Sequence, residues 1–383
     1  MIRSEKGDAI MPFKGQTMVD RRVEFVLAAT QEGANRAALY RHYGIDPKTG
    51  RKWIKRFREG GLTALTDRSR RPRRSPQQTP PVVEAAVVAL RTAQPTWGGR
   101  KLEARLDALG LADVPAPSTI TDILHRHALI DRDTTRPRAY GRFERAAPNE
   151  LWQLDFMGHK PMAQGRVHPL AVLDDHSRFG IGLFACGHER GELVQAHLTT
   201  CFAQYGVPWA ILADNGPTWG SSHWGAITWL EAWWIRLGIR VLHGRYRHPQ
   251  TQGKVERWHQ TIGTDVFQFG LFQDLAQTQA AFDRFRQGYN TERPHEALGM
   301  AVPASRYQPS PRPYPDPLPD IVYSDDCTVC RVHHSGTISF QHRVLFVSEA
   351  LRDLPVGVRS TSVDGVVVVR FCDQEIRTID LRT

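Results

Sequence analysis

No apolar run in this 383-residue sequence is long enough to span a bilayer. The first residues, Met1-Ile2-Arg3-Ser4-Glu5-Lys6, form no signal-peptide hydrophobic region, so a cytoplasmic protein is expected. The five cysteines are odd in number and scattered, which argues against a disulfide framework and for a reducing compartment. Excess positive charge is also missing from most of the chain. Residues 151–383 carry 22 Lys+Arg against 23 Asp+Glu, whereas residues 1–150 carry 28 against 17. The net charge of +10 is therefore a property of the N-terminal part, and it points to a polyanion partner, most simply nucleic acid. The composition is globular, with 41% hydrophobic and 23% charged residues. The length implies two to four domains.

Residues 1–16 show no periodicity and read as a leader. Helical spacing begins at Met18 with Val19, Val23, Val26 and Leu27. A short helix follows from Asn35, a good N-cap, to Tyr43, then a turn at Gly44-Ile45-Asp46-Pro47. A third helix, Lys48 to Glu59, turns Trp53, Ile54 and Phe57 inward and spreads basic residues over its outer surface. Helix, short helix, glycine turn and basic helix make a helix-turn-helix domain over 17–62. Its candidate DNA contacts are Thr49, Arg51, Lys52, Lys55 and Arg56. A plain three-helix bundle with a solvated basic face is the competing reading.

A basic linker over 63–80 holds further candidates: Arg70, Arg71, Arg73 and Arg74. The span 81–130 repeats the pattern: helices from Pro81 to Ala93 and from Trp97 to Leu109, a turn with Ser118 as N-cap, and a helix from Thr119 to His127. This second helix-turn-helix domain offers Ser118, Thr119, Thr121 and Arg126. Another basic, proline-marked linker covers 131–148.

From residue 149 the texture becomes α/β, up to about 302. Strands are expected at Leu151–Phe156, Pro169–Leu173, Phe179–Cys186, Ala210–Ala213 and Arg240–Leu242. Helices are expected at Glu189–Tyr205, His223–Leu237, Leu275–Tyr289 and in the stretch that opens at Gly253. Three successive strands, then strands alternating with helices, predict a mixed sheet with helices on both sides. The proline-rich stretch 303–320 reads as an extended linker, and 321–383 as a small all-β barrel or sandwich. The fold class is thus multidomain: tandem all-α units, an α/β core and a small β domain.

Three acids stand out. Asp155 ends one strand, Asp214 ends another, and Glu256 sits early in a helix between Lys254 and Arg257. Singly each passes as a turn or cap residue. Together they would make a hard, oxygen-rich site suited to Mg²⁺ or Mn²⁺. Two such ions about 3.5–4 Å apart activate the attacking oxygen of a phosphodiester exchange and stabilise the leaving one. Asp174-Asp175 reads as a hairpin turn rather than a fourth ligand pair, and Cys327, Cys330, His333 and His334 lack usual zinc-finger spacing.

The segments Leu151-Trp152-Gln153-Leu154-Asp155-Phe156, Ala213-Asp214-Asn215-Gly216-Pro217, and His248-Pro249-Gln250 through Gly253-Lys254-Val255-Glu256-Arg257 closely resemble the three acidic motifs of DDE transposases and retroviral-type integrases. Tyr289-Asn290-Thr291-Glu292-Arg293-Pro294-His295 looks like the segment that follows the core in bacterial insertion-sequence transposases. The resemblance implies a ribonuclease-H-like core with Asp155, Asp214 and Glu256 as catalytic metal ligands. It also implies two Mg²⁺ (or Mn²⁺) ions, and double-stranded DNA partners in the form of element terminal inverted repeats and target DNA. Cleavage at element ends, strand transfer by a 3′-hydroxyl, a homo-oligomer on paired ends and a nucleoid-associated location belong to the same expectation. Two features depart from the retroviral pattern. Forty-one residues separate Asp214 from Glu256, more than is usual, and Gln260 and Gly263 stand where retroviral integrases carry DNA-contacting lysines. Lys254, Arg257 and His259 are the substitutes expected here. The alternatives are an inactive DNA-binding regulator of transposition and a ribonuclease-H-type nuclease.

Overall fold

The computed structural model describes residues 17–68, 78–130, 144–214, 216, 218–219, 227–243 and 253–382. The chain divides into two compact units, Met1–Gln78 and Thr79–Thr383.

In the first unit, α1 (Met18–Thr30) starts at a capping box in which Thr17 and Asp20 satisfy each other's backbone amides. α2 (Arg36–His42) is capped by Asn35 and α3 (Pro47–Gly60) by Asp46, with Pro47 at the first position, where its missing N–H costs nothing. Gly44, at φ +62°, makes the turn between them. Phe25, Val26, Ala29, Trp53, Ile54 and Leu65 form the core. Gly50 is buried where α3 meets α2, and a methyl added there would lie 2.2 Å from the Tyr40 ring. Arg22, Arg56 and Lys52 lie 4.2, 4.8 and 5.3 Å from the Trp53 ring centre, covering its faces with cations.

The second unit opens with three helices: α4 (Pro81–Ala93), α5 (Gly99–Ala108) and α6 (Pro117–Arg126). They close around Val87, Trp97, Leu102, Leu106, Ile120, Ile123 and Leu124. Ser118 is not the N-cap expected from the sequence. The helix begins two residues earlier than expected, at Pro117 with Ala116 before it, because proline suits the first helical position and leaves Ser118 in the first turn.

The core domain is a mixed sheet. Its strands are β1 (Trp152–Phe156), β2 (Lys160–Pro161), β3 (Arg166–Asp174), β4 (Gly180–Cys186), β5 (Ala210–Ala213) and β6 (Arg240–His243). The order is β2-β3-β1-β5-β6, with β4 also on β3. β1 runs antiparallel to β3, and β5 and β6 run parallel to β1. The helices are α7 (Gly191–Tyr205), α8 (Trp229–Arg236), α9 (Gly253–Asp265) and α10 (Leu275–Thr291). Strand alternation sorts the side chains. Trp152, Leu154, Leu170, Val172, Ile211 and Ala213 join the α7–α8 side, whereas Ala171, Leu173 and Leu183 pack with Val255, Trp258 and Ile262 of α9 and Phe282 and Tyr289 of α10.

Three further expectations need correction. The Trp-rich helix expected from His223 begins at Trp229, where Thr228 and Glu231 form a capping box; 220–226 lie outside the described residues. The proline-rich stretch is extended but not a free linker. Tyr307, Tyr314 and Leu318 pack on the core, Ser310 N–H donates to the Tyr205 carbonyl at 2.7 Å, and Arg312 donates to the carbonyls of Pro208 (2.5 Å) and Leu237 (2.6 Å). Its prolines lack backbone donors, so aromatic packing and the arginine hold it instead.

The C-terminal segment is all-β, but its hydrogen bonds do not close a barrel. β7 (Thr328–Arg331), β10 (Pro355–Ser360), β11 (Val366–Phe371) and β12 (Gln374–Asp380) form an open antiparallel sheet with β7 and β12 outermost. β8 (Thr337–Phe340) and β9 (Arg343–Phe346) form a separate hairpin. Ile338 and Phe340 of the hairpin share one core with Val356, Val358, Val367, Val369 and Phe371 of the sheet, and Ala232 and Ile235 of α8 pack on the same cluster.

The contact at Gly50 yields a test. Gly50→Ala is expected to destabilise the first unit by about 1–3 kcal/mol by overpacking against Tyr40. Gly288→Ala, where the added methyl meets nothing within 4 Å, is expected to be neutral or stabilising by up to about 1 kcal/mol. Denaturant unfolding of the full-length variants checks both.

Candidate active site

The first two acids are brought together by register. β1 pairs with β5 so that Trp152 faces Ile211 and Gln153 faces Leu212. Two residues further along both chains, the same register sets Asp155 opposite Asp214. Neighbouring strands are about 4.8 Å apart. Parity puts Asp155 on the α9 side, because its partner on β3, Ala171, packs there. Asp155 is largely buried, with 20% of its side chain accessible. Burial, then the charge of Asp214, then that of Glu256 push its carboxyl up to about 7. The Asp214 carboxylate accepts the Gly216 N–H at 2.9 Å, a short turn that holds it at the strand end.

Glu256 lies in the first turn of α9 and is exposed. Among the described residues, no three His, Cys, Asp or Glu side chains stand close enough together to hold a metal ion. The donor set itself fits a hard divalent cation: carboxylate oxygens from three elements, one of them half-neutralised near pH 7 by burial and a neighbouring acid. The ion pairs formed among the described residues give these acids no lysine or arginine; the nearest cationic candidate is His259, 3.7 Å from Asp155. Burial pulls His259 down to about 4, so it is neutral and does not compensate the charge.

Two expected DNA contacts move to other roles. His259 is largely enclosed against Asp155, and its Nε2 is buried with no hydrogen-bond partner among the described residues. Lys254 turns inward and pairs with the fully buried Asp175 at 2.5 Å, although burial pulls its ammonium below the ordinary lysine range. Arg257 stays on the surface, bonded to Gln260.

In the helical parts, Thr49, Arg51, Lys52 and Lys55 are exposed on α3, and Lys55 pairs with Glu59 at 3.7 Å. Arg56 is half-buried against Trp53. Arg70, Arg71, Arg73 and Arg74 lie outside the described residues. Ser118 is exposed and Thr119 half-buried. Thr121 turns its hydroxyl back to the Pro117 carbonyl, and Arg126 pairs with Glu84 at 2.8 Å, which also holds His127.

Sequence reading missed the buried polar residues behind the acids. Gln153 is one: a long amide on an otherwise apolar central strand is a detectable signal. Asp175 passed as a turn residue but is fully buried. His243, at the end of β6, pairs with the buried Glu231 at 2.6 Å and sits 3.4 Å from the Asp214 carbonyl. The Glu231 hydrogen bond raises the His243 pKa.

Comparison with known proteins agrees with this layout. Two family models described as integrase core domain match residues 145–249 and 237–303. Helix-turn-helix and homeodomain-like models match 21–73 and 49–124, and the model described as IS481 family transposase, C-terminal domain, matches 327–383. An uncharacterized protein of insertion element IS407 from Burkholderia multivorans is 26% identical over 229 residues, 58% of this chain and 79% of that protein. A protein of insertion element IS476 from Xanthomonas euvesicatoria is 26% identical over 41% of this chain, which spans 44% of that relative's length. The Gag-Pol polyprotein of feline leukemia virus is 33% identical over 33% of this chain and 7% of its own length. Among solved structures, a chain of the simian T-cell lymphotropic virus intasome aligns with 77% of this chain and 96% of its own at 18% identity, with a TM-score of 0.36.

The acidic pair carries a stability consequence. The folded Asp155 carboxyl holds its proton up to about pH 7, whereas the unfolded one releases it near pH 4. The folded state therefore binds the extra proton in that window, and this group's destabilising effect grows from about pH 4 and is complete above pH 7. The ceiling on the effect is about 4 kcal/mol. In EDTA at pH 8, Asp155→Asn is expected to melt above the wild type, with the gap closing toward pH 5. Added Mn²⁺ is expected to raise the wild-type melting temperature and leave the variant's nearly unmoved. Calorimetry across pH, with and without metal, checks both.

Proposed function

Because the chain belongs to the DDE transposase and integrase superfamily, with the domain set of an insertion-sequence transposase, we propose that its own residues divide the work of metal-dependent DNA cleavage and strand transfer as follows. Asp155, Asp214 and Glu256 are the ligands of two Mg²⁺ (or Mn²⁺) ions. When bound, such ions polarise the scissile phosphate, activate the attacking oxygen and stabilise the leaving one. The observation that most supports this reading is the parallel register of β1 and β5, which sets Asp155 opposite Asp214 with no lysine or arginine ion pair to either among the described residues.

The other residues bind, orient and exclude water. The neutral His259 closes the buried side of Asp155. The Gly216 amide orients the Asp214 carboxylate. Glu256 is exposed on the first turn of α9 and completes the site as DNA seats against that helix. In cleavage, water attacks a phosphodiester at the element end, breaking a P–O3′ bond and freeing a 3′-hydroxyl. In strand transfer that hydroxyl attacks a target phosphodiester; the new P–O bond forms as the target's own P–O3′ bond breaks, so the bond count is conserved and no external energy source is needed.

Thr49, Arg51, Lys52 and Lys55 on α3, together with the basic residues 70–74, bind the terminal inverted repeats, and Ser118, Thr119 and Arg257 add contacts. Two separate binding units suit a long end sequence, and paired ends call for a homo-oligomer. The regulator alternative is disfavoured because all three acids are present, and the hybrid nuclease because two DNA-reading units precede the core.

Asp214→Asn is expected to reduce cleavage and strand transfer to background while end binding, read by electrophoretic mobility shift at fixed salt, stays within about threefold. Undiminished transfer would sink the assignment. Preferential cutting of an RNA–DNA hybrid over duplex DNA would favour the nuclease.

A further inference from the structure

Behind the three acids lies a buried polar cluster that the cleavage chemistry does not use. Its centre is Asp175, in the turn after β3 and fully buried. One carboxylate oxygen accepts the Gln153 amide N–H at 2.7 Å. The other accepts the Arg145 backbone N–H at 2.8 Å and the Lys254 ammonium at 2.5 Å. Lys254 also donates to the Asp175 carbonyl at 3.1 Å, and Arg178 donates to that same carbonyl and to Glu144. The free oxygen of the Gln153 amide accepts the backbone N–H of Val255 at 3.3 Å. Two consecutive residues at the start of α9 are therefore tied to the sheet, Lys254 by its side chain and Val255 by its backbone.

We infer that Gln153, Asp175 and Lys254 are positioning residues that lock the rotation and height of α9's first turn, and so decide where Glu256 points. This rests on Glu256 being a metal ligand. The geometry favours positioning over simple stabilisation. A buried ion pair contributes little net stability compared with apolar residues of the same size. Apolar contacts below, from Val255 and Trp258, already hold the helix on the sheet. What they lack is direction. Hydrogen bonds at two successive residues fix both angle and height, because one residue on an α-helix is about 100° of turn and 1.5 Å of rise. A displacement of about 1 Å is enough to lose two orders of magnitude in rate at a reacting centre. Gln153 also lies two residues before Asp155 on the same face of β1, so a single amide couples the strand of the first ligand to the helix of the third.

The test uses the full-length protein with Lys254→Met, and Glu256→Gln as reference. Three readouts apply: hydrogen exchange of the amides of residues 254–259 without metal, Mn²⁺ affinity from the electron paramagnetic resonance signal of free ion, and cleavage kinetics on an end duplex. Lys254→Met is expected to lose about tenfold or more of the protection in the first turn of α9 while β1 and β5 stay protected. Its Mn²⁺ affinity is expected to fall about 10–100-fold, and kcat to fall with little change in KM for the end DNA. If Lys254→Met does not fold around an unpaired carboxylate, the neutral double variant Asp175→Asn/Lys254→Met takes its place with the same expectations. Unchanged protection and Mn²⁺ affinity in whichever variant folds would overturn the inference. Glu256→Gln separates the two levels: it is expected to keep the wild-type protection and lose Mn²⁺ affinity and cleavage. If it retains both affinity and cleavage, the ligand assignment fails, whatever Lys254→Met does.

Discussion

The Asp175 carboxylate is the constraint on which the core depends. It is buried without solvent access and must therefore find all its donors inside the protein. Those donors come from far apart in sequence: Arg145 at the start of the core, Gln153 on β1 and Lys254 on α9. Removing any one would leave buried charge short of a partner, so the turn, the strand and the helix are fixed with respect to one another. Asp174 beside it does the same work for the chain before β1. It accepts the Asn149 backbone N–H at 2.7 Å and the Ser177 N–H at 2.8 Å. Asn149 in turn accepts from Trp152 and Tyr307 and donates to the Gln308 carbonyl. The proline-rich stretch is drawn onto the core by that second set of bonds.

The segment after the core works in the same way. Asn290 bonds to both the N–H and the C=O of Gly180, taking the place of a neighbouring strand at the start of β4. Gly180 has to be glycine for packing as well, because a Cβ there would lie 2.7 Å from the Trp258 ring of α9. Arg293 pairs with Asp265 at the end of α9. Glu292 faces Arg105 of α5 at 3.5 Å, so this segment also meets the second helical domain. Tyr289-Asn290-Thr291-Glu292-Arg293 is thus a packing and docking element, with its chemistry directed at the fold.

Much of this architecture was legible in the sequence because local signals and tertiary structure agree. Asn35 caps the helix it precedes, and alternation in Trp152–Phe156 and Pro169–Leu173 sorts correctly onto two sheet faces. Where the reading went astray, a distant partner decided the outcome. Lys254 looks like a surface cation because nothing within 70 residues of it reveals Asp175. His259 looks exposed until α9 is laid against β1 and encloses it. The C-terminal strands read as a barrel because alternation reports an apolar face but not how it is covered; here the hairpin shares that core with the open sheet, and α8 adds Ala232 and Ile235. The proline-rich stretch read as a linker because its anchors, Tyr307 and Arg312, find their partners only in the folded core.

One face of one strand carries two opposite treatments of negative charge. At Gln153, β1 meets Asp175, whose charge is matched by an ammonium and by amide donors. Two residues along, at Asp155, the same face holds an acid with another acid as its neighbour and a neutral imidazole behind it. Selection for stability alone has no reason to treat the two differently, since a cation at position 259 would relieve the repulsion there. A fold that places a lysine beside one buried carboxylate and, among the described residues, gives the next only a neutral histidine is keeping room for a cation from outside. The two sites are built from the same strand and differ only in how their charge is matched. This difference also accounts for the neighbouring elements, because an acidic pair held open this way is stable only if the surrounding sheet is rigid, and the Asp174 and Asp175 clusters supply that rigidity where the charges are compensated.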